Sequence, residues 1–175
     1  MTIEQLKNQI PDFGKDIRLN LDAVLSEEGA PGLSKKQIWS IAAAVGYSLR
    51  SGQVLEVVRA NSNFDDVTVE AAKGAAAIMA MNNIYYRAQH LMEDPQLKVL
   101  PAKLRMNIIG KPGVEKADFE LMCFAVSAIS GCGQCLTAHL HELRKAGLED
   151  LGIQSALRIA SVLNAAVAAI DIALI

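Results

Sequence analysis

Apolar residues recur at three- and four-residue intervals along nearly the whole chain, and no run alternates apolar with polar residues for long enough to make a strand. That periodicity predicts an all-α fold. Thr2 and Gln5 have capping-box spacing and lead Ile3, Leu6 and Ile10 to a stop at Pro11. Ile17, Leu21, Val24 and Leu25 mark a second helix, ended by the loop from Glu28 to Gly32. Ser34 and Gln37 form another capping box ahead of Ile38, Ile41, Ala42, Val45 and Leu49. A short segment from Val54 to Val58 precedes a turn at Asn61-Ser62-Asn63.

A long, alanine-rich helix is expected from Thr68 to Leu91, closed by Asp94-Pro95, then a short helix and connector from Lys98 to Ile109. Phe119, Met122, Cys123, Val126 and Ile129 stripe one face of a buried helix. Gly131 and Gly133 interrupt the pattern around Cys132, a new helix runs to Lys145, and a last one fills Ile153 to Ile175. Residues 1–175 read as one helical domain, since 175 residues suffice for a single sizeable core. A shift of 49 residues lays Ala76 on Ala125, His90 on His139, Leu91 on Leu140 and Glu93 on Glu142, which suggests a duplicated helical hairpin with the chemistry kept in the second copy.

Composition narrows the function. The net charge is −2, so no basic surface is available for phosphates, and nucleic-acid binding is not expected. The first residues are charged and lack an apolar leader, and the three cysteines do not make a disulfide framework, so a cytoplasmic location is expected. Arg158, Asn164 and Asp171 interrupt the apolar C-terminal stretch, which favours a buried or interfacial helix over a membrane span. At 51% apolar residues, much of it alanine, the chain has more apolar surface than one core needs, which predicts self-association.

The segment Ser130-Gly131-Cys132-Gly133-Gln134-Cys135-Leu136-Thr137-Ala138-His139 departs from generic helix. A disulfide between residues three apart closes a small loop that opens and closes readily, which suits redox cycling better than stapling. Cysteines in the first turn of a helix feel its positive end, which favours thiolate. His139 lies one turn after Cys135 and can take or return its proton. If the chain reverses at Gly131, Glu120 lies about 16 Å from the turn, His139 about 12 Å and Cys135 about 6 Å, so Glu120 meets His139 and His139 meets Cys135. No cofactor or metal is expected for such chemistry.

Other readings compete. Cys132, Cys135, His139 and His141 could make a structural zinc site, although His141 points away from His139 on the helix. His141 and His90 read as surface residues, and Cys123 as a buried, inert thiol.

The run FELMCFAVSAISGCGQCLTAHLHEL, together with GAAAIMAMNNIYYR and LRMNIIGKPGVEKADFE, resembles the alkylhydroperoxidase AhpD family of the carboxymuconolactone decarboxylase-like group. The resemblance implies an all-helical homotrimer that reduces hydroperoxides and passes electrons to a partner peroxiredoxin, fed by lipoyl groups on 2-oxoacid dehydrogenase components. It implies that Cys135 is oxidised to sulfenic acid, that Cys132 resolves it and donates a proton, and that Glu120 and His139 complete the site. Gln134 stands where some members carry histidine, which removes a second titrating group. The decarboxylase branch is the other enzymatic reading, though it leaves the dithiol without a task.

Overall fold

A computed structural model describes residues 1–175. The chain is all-α: α1 (Ile3–Lys7), α2 (Lys15–Val24), α3 (Lys35–Leu49), α4 (Gly52–Asn61), α5 (Asp66–Met92), α6 (Pro95–Lys98), α7 (Asn107–Gly110), α8 (Lys116–Ser130), α9 (Gly133–Lys145) and α10 (Asp150–Ile172). Both expected capping boxes form, Thr2 with Gln5 and Ser34 with Gln37. The long helix α5 begins two residues earlier than its apolar pattern, because Asp65 caps it by accepting from the Thr68 backbone N–H.

α8 is the axis of the molecule. Every residue from Asp118 to Ser127 is buried, and the helix packs against α3, α5, α9 and α10. The expected burial is present and extends beyond the stripe to Leu121, Phe124 and Ala125, whereas Ile129 of the stripe is only partly covered. A helix enclosed on all sides has no polar face and so shows no single stripe. The segment from Lys98 to Ile109 also differs. Single helical turns stand at its two ends, and residues 99–106 have no helix, since Pro101 cannot continue one and Lys103 adopts φ 52°. α10 is long and apolar enough to cross a membrane, yet it lies on α2, α3 and α8 with Ile153, Ala156, Ile159, Leu163 and Ala166 buried.

The 49-residue register is not found, but two hairpins of the chain share one form. That shift would lay α5, unbroken from Asp66 to Met92, on a hairpin. The repeat instead relates α3–α4 to α8–α9, with Lys35 matching Lys116, 81 positions on. Both first helices have 15 residues and end on a left-handed residue, Arg50 at φ 56° and Gly131 at φ 67°. Both close through the same pair of bonds: Arg50 N to Tyr47 O and Ser51 N to Gly46 O, Gly131 N to Ala128 O and Cys132 N to Ser127 O. Ser51 then caps α4 through the Val54 N–H, as Cys132 caps α9 through the Cys135 N–H. Gln37 donates to Asp118 at 2.9 Å, a bond between equivalent positions of the two hairpins.

Cys123 sits inside α8 with no exposed surface, and burial pushes its thiol well above the ordinary value of 9.0, with the Glu120 charge adding to the effect. Alkylation should therefore require unfolding, and Cys123→Ala should keep any dithiol chemistry while costing about 1 kcal/mol. A group whose folded pKa is raised contributes stability that is lost as pH rises. Denaturation midpoints should thus fall above pH 9, and the fall should be shallower in Cys123→Ala. Rapid native-state labelling of Cys123 would contradict this placement.

Candidate active site

The reversal at Gly131 brings α8 and α9 side by side, and Glu120 meets His139 across them. Glu120 Oε2 lies 2.6 Å from His139 Nδ1. Glu120 is 2% exposed and His139 7%, so the carboxylate finds in the imidazole the partner that burial demands. A carboxylate accepts, so Nδ1 carries the hydrogen and Nε2 is the atom left for other work. Cys132 and Cys135 are joined as a disulfide with Cα atoms 5.3 Å apart. Cys132 Sγ accepts from the Cys135 backbone N–H at 3.3 Å, so the helix terminus acts most directly on Cys132. That sulfur is sealed, whereas Cys135 retains 6% exposure at a cleft of about 280 Å³.

One expected contact is missing. His139 makes no bond to Cys135: Nε2 lies 3.2 Å from Met79 Sδ, and Cys135 Sγ lies 3.8 Å from the Asn82 carbonyl oxygen. The disulfide holds no thiol proton to exchange, so the imidazole rests against the thioether, and both side chains open on the same cleft. Met79 and Asn82 come from α5, some fifty residues away in sequence, which is why spacing within the motif could not reveal them. Arg87, also on α5, donates to the Ser130 carbonyl and satisfies a carbonyl left free by the end of α8.

Tyr86, Met106 and Ile109 wall the cleft, with the exposed Gln134 at its edge. At its mouth Glu142 pairs with Lys116 at 2.6 Å, which holds the carboxyl below its usual range and the ammonium above. The pair is exposed and contributes little to stability. The zinc arrangement does not form. Cys132 and Cys135 are tied to each other, His139 is held by Glu120, His141 is exposed, and no three His, Cys, Asp or Glu side chains converge on a common point. His90 is exposed as well. The first copy of the repeat has its own hollow of about 380 Å³ beside Lys35 and Trp39, without a thiol or histidine.

Comparison with known proteins converges on one group. Residues 95–174 match the Carboxymuconolactone decarboxylase family. The alkyl hydroperoxide reductase AhpD of Coxiella burnetii (strain RSA 493 / Nine Mile phase I) is 51% identical over 164 residues, covering 93% of this chain and 93% of its own. The protein of the same name from Streptomyces griseus is 48% identical over 173 residues, 98% of this chain and 96% of its own. That of Azorhizobium caulinodans is 45% identical over 175 residues, covering 99% and 95%.

If Glu120 acts only by holding His139, the two should behave as one unit when the reduced dithiol is oxidised. His139→Gln should slow oxidation about 10²–10³-fold, the range for a lost general acid–base. Glu120→Gln should cost less, and the double variant should match His139→Gln alone. Fully multiplicative losses in stopped-flow thiol oxidation would assign Glu120 a separate task.

Proposed function

Because the chain belongs to the alkyl hydroperoxide reductase AhpD family, within the carboxymuconolactone decarboxylase group, we propose that it is an antioxidant thiol peroxidase working through Cys132 and Cys135. The observation that carries this reading is the disulfide itself, formed beside a buried Glu120–His139 pair at the floor of a largely apolar cleft. A lactone decarboxylase would have no use for that dithiol.

The chemistry balances as follows. The Cys135 thiolate attacks the terminal oxygen of an alkyl hydroperoxide; the S–O bond forms, the O–O bond breaks, and the departing alkoxide takes a proton to become the alcohol. Cys132 then attacks the Cys135 sulfur, the S–S bond forms, and hydroxide leaves as water. Two thiols are oxidised and one hydroperoxide is reduced. Accessibility supports the order, since a peroxide entering the cleft meets Cys135 and cannot reach the sealed Cys132. The N-cap position of Cys132 favours its thiolate, which a resolving thiol also needs. His139 exchanges the protons, and Glu120 orients it.

An external dithiol returns the enzyme to its reduced form by thiol–disulfide exchange. We assign that task to a lipoyl group on a 2-oxoacid dehydrogenase component, as the family resemblance implies, and a peroxiredoxin is the partner that the enzyme re-reduces in turn. Met106 and Ile109 suit the aliphatic part of a hydroperoxide or of a lipoyl arm. The working location is the cytoplasm, where reduced dithiols are maintained. We further propose a homotrimer. Ile84, Leu91, Met92, Val99 and Leu100 stand exposed on the second half of α5 and the segment after it, an apolar surface that a symmetric interface would cover.

The reduced protein should lose two thiols to one equivalent of alkyl hydroperoxide, with no metal released. Cys132→Ser should leave a sulfenic acid on Cys135 that a dimedone probe captures, and Cys135→Ser should leave no peroxide-reactive thiol. Labelling of Cys132 in Cys135→Ser at the wild-type rate would reverse the two roles. Light scattering should report three chains per particle at micromolar concentration, and a monomer there would remove the trimer.

A further inference from the structure

Three buried side-chain polar atoms lack a partner: Ser40 Oγ, Asn82 Oδ1 and Asn83 Nδ2. Asn83 at least uses its other end, accepting from Ser127 Oγ at 3.0 Å. Asn82 is the odd one. It is 4% exposed, and its Oδ1 is buried without a hydrogen-bond partner. A buried amide oxygen left unpartnered is costly, and an apolar side chain at this point of α5 would avoid the cost. Its position gives the reason for keeping it. Asn82 lines the cleft with Cys135 and His139, and its backbone carbonyl oxygen lies 3.8 Å from Cys135 Sγ.

We propose that the Asn82 carboxamide binds the hydroperoxide and stabilises the oxygen that leaves. This rests on the peroxidase reading above. A hydroperoxide offers one O–H donor on its terminal oxygen and acceptor lone pairs on the inner one. A carboxamide presents an acceptor and a donor side by side, so it can engage both at once. Oδ1 accepts from the terminal O–H and turns that oxygen toward Cys135, while Nδ2 donates to the inner oxygen, where negative charge grows as the O–O bond breaks. The rest of the cleft floor is already committed: Glu120 holds His139 Nδ1, and His139 Nε2 faces Met79. In the disulfide form Oδ1 is closed off from solvent. For Oδ1 to meet a peroxide, that side of the cleft has to open when the disulfide is reduced, so the complete site is tied to the reduced form.

Asn82→Leu and Asn82→Ala test this by stopped-flow oxidation of the reduced enzyme with hydrogen peroxide, tert-butyl hydroperoxide and cumene hydroperoxide. Both variants should react about 10–10²-fold more slowly, with a steeper dependence on the acidity of the departing alcohol. Alkylation of Cys135 by iodoacetamide, which has no O–O bond, should keep its wild-type rate, as should reduction of the disulfide by dihydrolipoamide. Asn82→Leu should also melt no lower than wild type, since it replaces an unpartnered amide with an apolar group. Unchanged peroxide rates would overturn the proposal, and so would an equal fall in peroxide and iodoacetamide rates, which would mean that Asn82 only shapes the thiol. Wild-type enzyme that does not consume hydroperoxide would overturn the peroxidase reading itself.

Discussion

Glu120 stands in the middle of the most enclosed helix of the molecule, and the α8–α9 hairpin is built around that fact. An isolated carboxylate at that depth would be strongly destabilising, and the imidazole of His139 meets it at 2.6 Å. The contact sets how α9 lies along α8, since sliding one helix by a turn would part the two groups. The same register puts Cys135 at the cleft floor and Cys132 out of reach behind it. The turn at Gly131 makes the reversal possible because a left-handed residue with two returning backbone bonds ends α8 and starts α9 at once. The geometry of the thiols thus depends on a hydrogen-bonded pair to which neither belongs.

What was legible in the sequence was local. Capping boxes at Thr2 and Ser34, the stop at Gly131 and the spacing Glu120–Cys132–Cys135–His139 all act within a turn or a hairpin, so residue order carries them. Met79 and Asn82 were invisible for the opposite reason. They lie in an alanine-rich helix whose approach to α8 and α9 is a matter of packing, and although their run GAAAIMAMNNIYYR carries the family resemblance, nothing in it points these two side chains at the site. The all-round burial of α8 was hidden by its own completeness. In the segment from Lys98 to Ile109 the expected connector is there, but the helix is split into single turns at its two ends. The contact expected between His139 and Cys135 presumed a free thiol, and the disulfide has none.

The repeat was readable too, had the comparison begun from the turn. Ser51-Gly52-Gln53-Val54-Leu55 and Cys132-Gly133-Gln134-Cys135-Leu136 keep glycine, glutamine and leucine in step. The 49-residue shift rested on four scattered identities, at Ala76, His90, Leu91 and Glu93, none of which a cap or a turn requires. The better guides were residues that a particular backbone shape requires, at the cap and in the left-handed turn.

That second hairpin has a wider meaning. Ser51, Val54, Val58 and Trp39 occupy in the first half the places of Cys132, Cys135, His139 and Glu120 in the second. The same hairpin closes through the same backbone bonds whether its inner face carries a redox couple or a plain apolar filling. The turn that ends one helix and starts the next therefore does not depend on the thiols, while the Glu120–His139 contact still sets how α9 lies along α8. Such a hairpin can lose its thiols and keep its turn, and its idle counterpart can acquire new chemistry without first solving the problem of folding.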